Sequence, residues 1–172
     1  MRQKHGVRSA RIRREAEGYL ELGLPQHALQ ALGRLGNPAG FGVEALYLWG
    51  EGLRAMRRYF EALLPLERAS RLRGEDIRVR LALGWCYKRT GRLDLAIDSL
   101  EKALLIRPGE ALLHYNLACY LSLAGQKRRA LRYLSRAMAL DPVYRELVEG
   151  EADFDPLRSD PEFQAMIPRS CT

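Results

Sequence analysis

Cysteine is scarce in this 172-residue chain: Cys86, Cys119 and Cys171 are the whole set. An odd number so spread is no disulfide framework, so reduced thiols and a cytoplasmic home are expected. Lysine is scarce too, with four against 24 arginines, a bias of genome composition that carries no activity. Long apolar runs are missing, and nothing approaches the roughly 18 residues of a membrane span. The start, MRQKHGVRSARIRR, has no acid and no apolar h-region, so a secretory signal is not expected. Residues 1–8 read as a solvated basic arm, with an organelle transit peptide as the alternative. The histidines His5, His27 and His114 share no ligand spacing. A Gly-rich phosphate loop, a nucleophile elbow and a Cys-x-x-Cys are all lacking. No enzyme, cofactor or metal site is expected.

What is present is a globular composition, 47% hydrophobic, with a lopsided charge. Residues 1–142 hold 25 Lys/Arg against 14 Asp/Glu, whereas 143–172 hold three Arg against seven acids. A basic body with an acidic tail suits an acidic partner or nucleic acid, or a tail that screens its own body.

The stretch LALGWCYKRTGRLDLAIDSLEKALLIRP, residues 81–108, scatters small residues through two amphipathic patterns. Glycine costs about 1 kcal/mol against alanine inside a helix, so Gly84 needs a reason. It lies in a 34-residue period with blocks starting at Ser9, Val43, Ile77 and Ala111. The eighth residue is Ala16, Gly50, Gly84 or Ala118, and the twentieth is Ala28, Ala62, Ala96 or Ala130. The twenty-fourth is always leucine: Leu32, Leu66, Leu100 and Leu134. Small residues facing one another let two helices approach closely, and the leucine fills the space beyond. Gly50, Ala62, Gly84, Ala96, Ala118 and Ala130 are therefore packing residues. The fifteenth is Gly23, Arg57, Gly91 or Gly125, where the first helix must stop and a left-handed residue is wanted.

This helix–turn–helix period resembles the tetratricopeptide repeat (TPR) family. Block 77–110 carries Gly84, Tyr87, Ala96, Ala103 and Pro108 at the signature positions; block 111–144 carries Ala118, Ala130, Ala137 and Pro142. The resemblance implies an all-α chain, a right-handed α-α superhelix of repeats 9–42 (degenerate), 43–76, 77–110 and 111–144. A C-terminal helical cap over 145–172 is expected to follow, its first helix starting at Pro142. Position 4, often Trp in the family, is Ile12, Leu46, Arg80 and His114, and Pro65 should bend its helix or cost about 3 kcal/mol. In the tail, Asp155-Pro156 and Asp160-Pro161 read as helix starts. Phe154, Leu157, Phe163, Met166 and Ile167 are expected to fold back. The DFDPLRSDPEF ending is similar to those that follow TPR arrays in some bacterial proteins, which points to a bacterial source.

The resemblance also implies a concave groove lined by positions 2, 5, 9, 12 and 13. Here that stripe supplies Tyr47, Glu51, Arg54, Arg78, Leu81, Trp85, Lys88, Tyr115 and Cys119, among others. Aromatic and Arg residues are the usual hot-spot types, so the expected partner is a protein or peptide with apolar anchors and acidic flanks. Packing of Trp85 and Tyr115 between repeats is the alternative. A chaperone-type carboxylate clamp is not expected, because only Asn116 matches it. Cys86 and Cys119 read as buried thiols or a redox pair, and Asp153, Asp155 and Asp160 as caps before a metal cluster. The function expected is a non-catalytic interaction scaffold or adaptor. A second reading is a nucleic-acid binder using Arg128, Arg132 and Arg136, with Arg68, Arg71 and Arg73. A secretion-type TPR chaperone is a third, for which no residue speaks.

Overall fold

Between residues 43 and 140 helix starts and stops recur in steps of 34. The structure is a computed structural model that describes residues 2–167. In residues 1–90, α1 (Arg2–Glu21) and α2 (Pro25–Gly33) form one pair, α3 (Val43–Ala55) and α4 (Tyr59–Leu72) a second, and α5 (Ile77–Arg89) packs on α3 and α4. Residues 91–172 hold α6 (Leu93–Ile106), α7 (Ala111–Leu123), α8 (Lys127–Leu140), α9 (Val143–Gly150), a 3-10 turn (Ala152–Leu157) and α10 (Pro161–Met166). These are two compact units. Among the described residues there is no strand.

The small-residue columns pack as close-approach physics requires. Gly50, Ala62 and Leu66 are buried in the first unit's core; a Cβ on Gly50 would stand 2.5 Å from Leu66 Cγ. In the second unit Ala118 on α7 and Ala130 on α8 are both fully buried. Gly84 on α5 and Ala96 on α6 are buried as well.

At the fifteenth column the backbone is left-handed throughout: Gly23, Gly91 and Gly125 have φ of 70°, 77° and 69°. Arg57 takes the same conformation, at φ 59°. The turn after α3 closes with Arg58 N–H donating to the Leu53 carbonyl at 2.9 Å, a 6→1 bond of the Schellman kind. A side chain in this conformation costs roughly 1–2 kcal/mol, partly offset in glycine by its greater chain entropy. Arg57→Gly is therefore expected to stabilise the protein by about 0.5–1 kcal/mol, read as a higher urea midpoint. No gain, or a loss, would show that the arginine side chain itself holds the turn.

α4 continues through Pro65 to Leu72, with the proline buried. Two local expectations come out differently. Residues 2–8 of the expected arm are drawn into α1, since nothing before Glu21 stops that helix. Asp155 starts no helix: the 3-10 turn runs through Pro156, and Glu151 caps it by accepting from Asp153 N–H at 3.2 Å. Asp160 does cap α10, accepting from the N–H groups of Glu162 and Phe163.

Candidate functional site

One face of the first unit, made by α3 and α5, gathers most of the polar and aromatic residues singled out above. Its organiser is Asp76, the N-cap of α5. Asp76 accepts from the Arg78 backbone N–H at 3.1 Å and from its guanidinium at 2.9 and 3.2 Å. The same guanidinium reaches across to α3 and donates to both Glu44 oxygens, at 3.1 and 3.0 Å. Those bonds to Asp76 and Glu44 hold Arg78 firmly cationic. Its guanidinium carbon lies 4.8 Å from the centre of the Tyr47 ring, a cation–π contact. Burial, with the charge of Glu51 adding, pushes the Tyr47 phenol up to about 12.

One turn along α3, Arg54 grips Glu51 with two bonds of 2.7 Å, bidentate geometry that locks both side chains. On α5, Trp85 is 39% exposed and the Lys88 ammonium stands 5.2 Å from the centre of its ring. Leu81 is half-buried beside them in sequence. The face is thus nearly neutral: Arg54, Arg78 and Lys88 are matched in number by Glu44, Glu51 and Asp76. Sequence reading singled out the cations and missed that Asp76 and Glu44 already hold Arg78. A signal existed, since Glu44 and Arg78 both stand at position 2 of successive 34-residue blocks.

Tyr115 and Cys119 depart from the expected open groove. They are 6% and 3% exposed in the second unit, covered by the C-terminal segment. The Tyr115 ring sits 4.6 Å from that of Tyr144 on α9 and meets Phe154 edge-on at 5.8 Å. Phe154 and Phe163 are fully buried. Burial raises the Tyr115 phenol above its ordinary range. Tyr115 thus packs against the C-terminal cap, and neither Tyr115 nor Cys119 presents surface in an open groove.

The remaining candidates have structural occupations. Cys86 is fully buried, and burial pushes its thiol up to about 12, the opposite of a reactive thiolate. Cys171 lies outside the described residues. His114 is 8% exposed and its Nε2–H donates to the Pro108 carbonyl at 2.8 Å. Arg68 donates to the carbonyls of Pro38 and Ala39, tying the α2–α3 connection to α4. Arg128, Arg132 and Arg136 are exposed on one face of α8, while Lys127 and Arg129 are held by Asp160 and Glu101.

Paired helices with left-handed turns at a fixed period define an α-helical repeat protein. Residues 77–110 match the tetratricopeptide repeat family model; the chain carries a TPR and has the fold of TPR proteins. Among solved structures it is similar to MamA (residue 41 to the end) from Desulfovibrio magneticus RS-1, with a TM-score of 0.71 and 20% identity over 92% of this chain and 93% of that one. It is also similar to another MamA crystal structure, with a TM-score of 0.69 and 23% identity over 78% and 79%. YrrB, described as a TPR protein with an unusual peptide-binding site, has a TM-score of 0.70 and 22% identity over 79% and 71%. No curated protein sequence matches the chain. Among the described residues no helix is long and apolar enough to cross a membrane.

Proposed function

We propose that this chain is a non-catalytic protein-interaction scaffold that binds a peptide or a partner's helix on the α3–α5 face of residues 1–90. The observation that carries this reading is Trp85, a large aromatic left 39% exposed beside charged groups already locked in place. Rigid aromatic anchors with ordered polar neighbours bind at low entropic cost. The peptide-binding site of the similar YrrB supports it. Leu81 and Trp85 take the partner's apolar anchor; acidic flanks compete with Glu44, Glu51 and Asp76 for Arg54 and Arg78, so apolar residues dominate recognition. Cytoplasmic residence fits the buried free thiols Cys86 and Cys119.

Affinity capture from source-cell extract, with and without nuclease, tests the reading. A Trp85→Ala protein, checked by circular dichroism to be folded, should lose captured proteins about 30-fold, the effect of a hot spot worth about 2 kcal/mol. Capture that is unchanged by Trp85→Ala would sink the assignment. Release of all partners by nuclease instead favours the second reading, binding of nucleic acid through Arg128, Arg132 and Arg136 on α8.

A further inference from the structure

A cavity of about 640 Å³ opens in the first unit where α1, the α2–α3 connection and the end of α4 meet. Four guanidinium-bearing residues from different elements line it: Arg8 and Arg13 on α1, Arg34 after α2, and Arg73 after α4. Arg34 is engaged with Glu15. The single acid in the lining, Glu44, has both oxygens on Arg78. Arg13 donates to the neutral hydroxyl of Ser9 at 3.1 Å. Among the described residues Arg8, Arg13 and Arg73 have no carboxylate partner. This sets the cavity apart from the α3–α5 face, where Arg54 and Arg78 already have their counter-charges.

Two further features narrow the ligand. The first residues of α3 form one wall, and Gly42 at its N-cap offers no side chain to the free amide hydrogens there. Nothing lies within 4 Å of where a Cβ on Gly40 or Gly42 would stand, so that wall is open backbone, electropositive by the helix dipole. The rest of the lining is apolar: Leu35 and Val43 are half-buried and present surface, and Ile12 and Phe41 are buried beside them. A lone carboxylate neutralises one of three uncompensated guanidiniums. A phosphoryl dianion neutralises two and matches the arginine fork with paired oxygens.

We propose that this cavity is a second binding site, for a phosphomonoester with an apolar or aromatic body. The phosphoryl group sits among Arg8, Arg13 and Arg73, and the body lies on Leu35 and Val43. The monoester comes either from a free small molecule or from a phosphorylated side chain. Because the second ionisation of such a group falls near pH 6, binding strengthens as pH rises through that value.

Calorimetric titration of the full chain with phenyl phosphate is the test, with benzoate as the singly charged control. Phenyl phosphate is expected to bind at least tenfold more tightly than benzoate and to weaken between pH 7.5 and pH 5. The Arg8→Gln/Arg73→Gln double variant should lose at least tenfold in affinity with an unchanged thermal melt, since both side chains are solvent-exposed. Trp85→Ala should leave the titration unchanged, which separates this site from the α3–α5 face. A short neutral peptide carrying phosphotyrosine supplies the second arm. Tighter binding than phenyl phosphate assigns the site to a phosphorylated side chain, and equal or weaker binding assigns it to a free monoester. The proposal is overturned by absent saturation, by equal affinity for benzoate, or by wild-type affinity in the double variant.

Discussion

Phe154→Ala is expected to cost about 3–5 kcal/mol, the range for truncating a fully buried aromatic side chain. Phe154 has no exposed surface and sits in the 3-10 turn that packs on α7. Its ring meets Tyr115 edge-on and lies 5.6 Å from Phe163. The chain from α9 to α10 is a short helix, a 3-10 turn and a six-residue helix, and Phe154 is, with Phe163, the largest of the side chains it buries, beside Val148 and Leu157. Chemical denaturation followed by circular dichroism measures the loss. Leu147→Ala on α9, where the side chain is 50% exposed, is the control and should change stability by less than about 0.5 kcal/mol. A loss below about 1 kcal/mol for Phe154→Ala would mean that the cap is dispensable. The alkaline limb gives an independent readout. The Tyr115 phenol is raised by burial, so its neutral form favours the folded state. That contribution is complete below pH of about 10, the ordinary tyrosine value, and is lost as pH climbs through the raised folded value. In Phe154→Ala the phenol should ionise closer to its ordinary range, which ultraviolet titration detects.

Leu66→Ala should cost about 2–5 kcal/mol, because Leu66 has no exposed surface in the first unit's core. Its neighbour Gly50 makes the measurement informative. A Cβ there would lie 2.5 and 2.6 Å from Leu66 Cγ and Cδ2, too close unless the leucine moves, and the buried leucine has nowhere to go. Gly50→Ala alone therefore sets about 1 kcal/mol of helix propensity against about 1–3 kcal/mol of overpacking; a net loss of about 1 kcal/mol is expected. In Gly50→Ala/Leu66→Ala the new methyl enters the space the leucine vacates. The double variant should be more stable than additivity predicts by at least about 1 kcal/mol. Additive losses would show that the two residues do not share that space, and the packing explanation for the small residue at position 8 would fail.

That explanation was readable in the sequence because it rests on local chemistry repeated at fixed spacing. Gly50 before Leu66, Ala62 beside it, and a turn residue between them specify two helices and their contact wherever they occur. Even Arg57 obeys the rule it breaks in composition, since its neighbours impose the left-handed turn. The pairing of Arg78 with Glu44 was half-visible, as two residues in one column whose side chains only a structure brings together.

The amino-acid sequence by itself determined the helices, their limits near each 34-residue step, and the small and large residues that join them. Those follow from side-chain size and backbone preference repeated within each 34-residue block. Only the tertiary structure decided which surfaces stayed open. Tyr115 stands in the groove column, like Tyr47 two blocks earlier, yet it is covered because Phe154 and Tyr144 return over it. Arg8 and Arg73 look like ordinary solvated arginines in sequence, and they line one cavity because α1 and the end of α4 meet there. Periodicity says which side of a helix a residue occupies; what later covers that side depends on where the rest of the chain is carried.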